Sequence, residues 1–357
     1  MPYPFTNALY YPNIDINNTE WLRTAVLFWD SISTIVPEEI HNPYRNRDTK
    51  YLYEQGILKP IIVNSDDEAV IGIEDDIFNV LSSPEITQQL FCDNNTFSTR
   101  IYKSKMSMVL RELIEENQFY REIIRNIHNS VSNSYSVNDT FAFFYMSVLA
   151  NKLSERHALE MISDKLFIHN VGNSIKFDNG SRMHNPDSGI FQRPIHAREM
   201  AQGCLLNLII EGLSVSGDAS LDDIVSFKRD HQNELRAFKI AISELVHEYD
   251  DTSVPIAEIQ NNVKNIYENN FLHAYNELKR SLKDFRIRWV ANTIFTVSAV
   301  FAAEGIPLLL MGMPQEQALL AQGGVSLLTS GVKYNIKKRE LLRNNPYSYL
   351  LSIERNL

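Results

Sequence analysis

The side chains with the widest chemical repertoire gather between His169 and Arg198, in HNVGNSIKFDNGSRMHNPDSGIFQRPIHAR. His169, His184 and His196 with Asp178 and Asp187 have the chemistry to bind a metal or transfer protons, and Arg193 with Arg198 could hold a phosphate. His184, His196 and Arg198 are therefore the polar-site candidates of a metal- or nucleotide-dependent enzyme. Their spacing is loose, however, and a solvated Asn/Gly-rich loop is the competing reading. No catalytic residue, metal ligand or cofactor is assigned.

Other candidates are single features. The acidic run DDEAVIGIEDD (66–76) could gather a divalent cation, but reads more simply as a solvated helix start. Asp164, in EMISDK, follows a short strand-like stretch, and strand ends are where sites in α/β layers collect. His231 lies on an apolar stripe and is expected to be a hydrogen-bonded core histidine. GLSVSG (212–217) has the wrong spacing for a nucleophile elbow, and no phosphate loop, dinucleotide fingerprint or HExxH motif occurs.

These residues need a scaffold, and the totals bound it. The chain has 357 residues, 44% of them apolar, enough for two or three ordinary domains. A net charge of −10 argues against a dedicated nucleic-acid binder. Cys92 and Cys204 have no partners at ligand spacing, which fits a reducing compartment without zinc or a disulfide framework. The opening MPYPFTNALYYPNID has neither the basic nor the apolar region of a targeting segment, so a cytoplasmic location is expected, with a peripheral place at the inner membrane as the alternative.

The expected fold class is α+β, mostly α-helical: a small N-terminal sheet layer, a helical body, a long helical hairpin and an apolar C-terminal hairpin. ALYYP, a helix with Thr19 as its expected N-cap, STIVP and ILKPIIV outline strand, helix, strand and strand over residues 1–65. Residues 66–168 read as a helical body packed on the same sheet, with HALEMISDK returning one strand to it. After the loop 169–194, residues 195–288 read as long amphipathic helices forming a coiled-coil-like arm. Ser220 and Asp223 match a capping box, and Leu221, Ile224, Leu235, Phe238, Ile242, Leu245 and Tyr249 form the heptad-like stripe of a single helix. A second helix carries Ile256, Ile259, Val263, Ile266, Leu278, Leu282 and Phe285 on one face.

Residues 289–332 are almost uncharged, with Glu304 and Glu316 the exceptions. Glu304 and Pro307 argue against one straight span, since a carboxylate at the bilayer centre costs about 2.5–3.5 kcal/mol. A helical hairpin is expected, with Trp289, Ile294, Phe295, Val300, Phe301, Leu308 and Leu309 as partner or membrane contacts. Its basic flanks, Arg286, Arg288, Lys333, Lys337 and Lys338, suit anionic head groups. A basic segment and tail, 333–357, complete the chain. A buried core or oligomer interface is the leading reading of the hairpin.

The stretches ALYYPNIDINNTEWLRTAVLFWDSISTIVPEE, SLDDIVSFKRDHQNELRAF and LRNNPYSYLLSIERNL resemble a bacterial family defined as a domain of unknown function. That resemblance implies a bacterial origin and carries an association with phage defence. The resulting expectation is a non-enzymatic protein that works through a protein partner or homo-oligomer, with a membrane-acting effector inserting 289–332 as the alternative.

Overall fold

The computed structural model describes residues 6–81, 99–116, 124–126, 133–164, 197–213, 220–247, 262–281 and 345–356. The chain begins by alternating strand and helix: β1 (Asn7–Tyr10), α1 (Thr19–Phe28), β2 (Ser31–Pro37), α2 (Arg47–Glu54) and β3 (Leu58–Val63). Asn18, one residue before the expected cap, accepts from the Trp21 N–H and so starts α1. All seven residues of β2 are buried, as a parallel strand covered on both faces requires.

Two short helices follow, α3 (Glu68–Ile71) and α4 (Glu74–Leu81), then β4 (Thr99–Tyr102), a 3-10 turn over Lys103–Lys105 and α5 (Met108–Glu116). Strands β5 (Ile124–Asn126) and β6 (Ser134–Val137) lead to α6 (Asp139–His157) and β7 (Glu160–Ile162). The parallel sheet has the order β3-β2-β1-β7. The strand foreseen in HALEMISDK is thus present, and pairs Leu9 with Met161 beside β1.

A second, antiparallel sheet runs β4-β6-β5. It departs from the helical reading of this region. Ile101 opposes Tyr135 across β4 and β6, both are buried, and Thr99 opposes Val137. The short alternating stretch SYSV is too brief to register against the longer helical periodicities on either side.

Alternate residues of a strand face opposite ways. Ala8, Tyr10, Ile32 and Leu58 enter one core with α1, whereas Leu9, Tyr11, Ile35 and Val63 enter another with α3 to α6. Helices therefore cover both faces. The fold is α+β, a parallel sheet between helical layers with a separate small antiparallel sheet.

The C-terminal half completes the α1 side with α7 (Ala197–Gly212), α8 (Leu221–Asp230), α9 (Gln232–Leu245), a π-turn over Ile266–Phe271, α10 (Leu272–Ser281) and α11 (Ser348–Asn356). The capping box at Ser220 and Asp223 is fully formed. The single helix expected after it is two helices, divided at His231. That residue ends α8 and begins α9, its Nδ1 is 2.9 Å from the Phe227 carbonyl, and its ring stacks on Phe227 with centroids 4.1 Å apart. The stripe residues Leu221, Ile224, Leu235, Phe238 and Ile242 enter the same core as Trp21 and Phe28. Val263, Ile266, Phe271 and Tyr275 join them. Each fully buried aromatic or aliphatic side chain contributes about 1.5–3 kcal/mol of transfer free energy, so the stripe holds these helices to the sheet layer.

Tyr349 closes this core. Its hydroxyl donates to the Leu27 carbonyl at 2.7 Å, 322 residues away in sequence, and its ring meets Phe28, Phe227 and Phe238.

Candidate functional site

Strands added in sequence run outward from β1 to β3, and the chain then crosses to the other edge of β1 to add β7. Open α/β sheets bind ligands outside the carboxyl ends of the strands where the direction of addition reverses. Here that place lies between Tyr10, ending β1, and Asp164, two residues past β7.

The two meet. The Tyr10 hydroxyl donates to Asp164 Oδ1 at 2.9 Å. Burial, then the Asp164 carboxylate, pushes the Tyr10 phenol far above its usual range, so it remains a donor at every physiological pH; a bond from the Asn13 side chain acts the other way. Tyr10 is held by the Trp21 ring, at 5.5 Å between centroids. On the neighbouring strand, the Thr34 and Tyr44 hydroxyls lie 3.0 Å apart, both residues buried.

Anion cradling at this edge is already taken up by the chain itself. No glycine occurs between β1 and α1. Asn18 caps α1, and Asn46 caps α2 through the Asp48 N–H. Asp15 accepts from the Arg45 and Asn46 N–H groups at 2.8 and 3.2 Å. Asp67 caps α3 through Ala69 and also takes Arg156 Nη1 at 2.9 Å. The acidic run at 66–76 thus supplies a helix start. Among the described residues no group of three His, Cys, Asp or Glu side chains is placed to hold a metal ion.

At the opposite, amino end of the sheet, Asp30 faces two lysines. Lys228 of α8 and Lys239 of α9 bring their Nζ atoms to 3.6 and 3.7 Å from its two oxygens, and Lys228 also donates to the Trp29 carbonyl. The Lys239 side chain is buried and that of Lys228 largely so, while that of Asp30 is half exposed. Burial lowers the pKa of both lysines, that of Lys228 to about 8, against the opposing pull of Asp30. A sequence signal existed for this cluster: Lys228 stands four residues after Ile224 and Lys239 four after Leu235, both on the core-facing stripe.

Of the residues nominated from sequence, Asp164 and His231 are placed as described above. His184 and His196 lie outside the described residues; Arg198 stands in α7, with only its backbone described. Trp289, Ile294, Phe295, Val300, Phe301, Leu308 and Leu309, with the flanks Arg286, Arg288, Lys333, Lys337 and Lys338, also lie outside them. So do most of GLSVSG and the loop 169–194. No helix among the described residues is long and apolar enough to cross a membrane. Tyr10, Asp15 and Lys228 were not singled out, because their roles depend on neighbours distant in sequence. No family model matches the chain, and neither a curated protein nor a solved structure matches it.

Proposed function

We propose that the chain is a binding protein whose parallel sheet takes a small, donor-rich ligand, bearing hydroxyl or amine groups, at its carboxyl edge. The observation that carries this reading is the Tyr10–Asp164 pair at the reversal between β1 and β7. The edge presents the partly exposed Asp164 carboxylate, fixed from behind by the buried Tyr10 hydroxyl, while the amides that would cradle phosphate are engaged by Asn18, Asp15 and Asn46. A donor-bearing ligand suits that balance better than a phosphate ester.

The test is thermal unfolding with adenosine, spermidine or inorganic phosphate. A ligand at 100 times its Kd stabilises by about 2.7 kcal/mol. Adenosine or spermidine should raise Tm in the wild type, and Asp164→Asn with Tyr10→Phe should remove the shift. A shift with phosphate alone, or with none of the three, refutes the reading.

A second reading, contact with a protein partner or an anionic membrane through 289–332, has one observation in its favour. Phe271 and Tyr347 meet edge to face at 5.5 Å, so the chain on either side of that apolar stretch is anchored in one core. The sequence between these anchors holds the apolar stretch and its two basic flanks. Flotation with anionic liposomes tests the membrane form; flotation that survives Phe295→Asp with Phe301→Asp would sink it.

A further inference from the structure

The antiparallel sheet is fastened to the carboxyl end of β2 through one carboxylate. Glu39, two residues past β2, accepts from the Ser104 hydroxyl at 2.5 Å through Oε2 and from Asn133 Nδ2 at 2.6 Å through Oε1. Ser104 lies in the 3-10 turn that follows β4 and Asn133 precedes β6, so both strands are held at the same end. Lys105 follows directly and is only 3% exposed. An ammonium in that position has lost most of its hydration, and the chain around it is fixed: the Tyr145 hydroxyl donates to the Lys105 carbonyl at 2.6 Å.

We propose that Glu39, Ser104, Asn133 and the buried Lys105 form a pH-responsive latch, which holds the antiparallel sheet against β2 and loosens as Lys105 takes up a proton. Opening the latch returns Lys105 to water.

Among the described residues, the charged or titratable groups around it are few. Glu39, from the turn after β2, acts on Lys105 and favours its charge; Tyr145 of α6 bonds its carbonyl. Lys103 is paired with Glu115 at 3.4 Å, Glu115 also accepts from Tyr135 at 2.5 Å, and Arg111 of α5 donates to Ser65. Burial outweighs Glu39 and lowers the Lys105 pKa to about 7. In an opened state it returns toward its ordinary 10.5. Between those values the open form binds more protons, so the latch tightens as pH rises from 7, by up to about tenfold per pH unit. Below 7 both forms are charged and the response ends.

Hydrogen exchange of the full chain, corrected for intrinsic rates, reads this directly. Peptides covering 99–107 and 133–137 should gain at least about tenfold protection between pH 7 and 9, relative to β1. Lys105→Met should abolish the change, and Lys105→Arg, charged throughout, should keep the segment at its low-pH protection. A flat wild-type profile overturns the proposal whether or not the variants fold. So does an undiminished response in Lys105→Met.

Discussion

Asn in place of Asp30 removes the carboxylate from between two largely buried lysines and leaves the shape nearly unchanged. The cost is set by how each lysine escapes. Once Asp30 is gone, Lys228 sheds its proton, and a group with a folded pKa of about 8 does so at pH 7 for about one pKa unit. That bounds its share at about 1.4 kcal/mol. Lys239 adds in the same direction, because Asp30 also favours its charge. The expected loss at pH 7 is about 1–3 kcal/mol. The pH dependence carries the argument. Both folded-state lysines are depressed below their unfolded values, so stability rises with pH between about 8 and 10.5 for Lys228, where the unfolded chain binds the extra proton. At pH 9.5 the folded Lys228 is neutral and Asp30 has no charge on it to balance. Urea unfolding of wild type and Asp30→Asn at pH 7 and 9.5 should therefore show a smaller difference at the higher pH, where the share of Lys228 is lost. An equal loss at both values would refute an electrostatic role and point to packing around Trp29.

Tyr349→Phe leaves the buried Leu27 carbonyl without its donor while keeping the ring contacts, and should cost about 1–3 kcal/mol in urea unfolding. A loss under about 0.5 kcal/mol would mean that the rings alone hold α11. Asn151 makes the opposite case: fully buried on α6, its side-chain oxygen and nitrogen find no hydrogen-bond partner among the described residues. Asn151→Leu should stay within about 1 kcal/mol of wild type or stabilise, because an apolar group of similar size removes a desolvation penalty. A loss above about 2 kcal/mol would show that the amide is bonded in solution.

What the sequence determined by itself is local. The strands at ALYYP, STIVP and ILKPIIV, the helix after Asn18 and the Ser220–Asp223 cap depend on side-chain alternation, burial on both faces and hydrogen bonds within a few residues. Even the strand before Asp164 was visible, because a short apolar stretch followed a helix end. The tertiary structure decided the rest. The stripe over 221–249 is equally compatible with one helix or two, since periodicity records which residues face inward and not where the axis turns. The turn falls at His231, whose ring stacks on Phe227. Strands β5 and β6 owe their state to pairing with each other and, for β6, with β4, which a single sequence does not display. The candidate sites follow the same rule. Asp164 meets Tyr10 across 154 residues, and Asp30 meets Lys228 across 198, because the parallel sheet and its covering helices bring remote turns to common edges. Chemistry of this kind is set by the order of strands and the packing of layers, which no local spacing encodes.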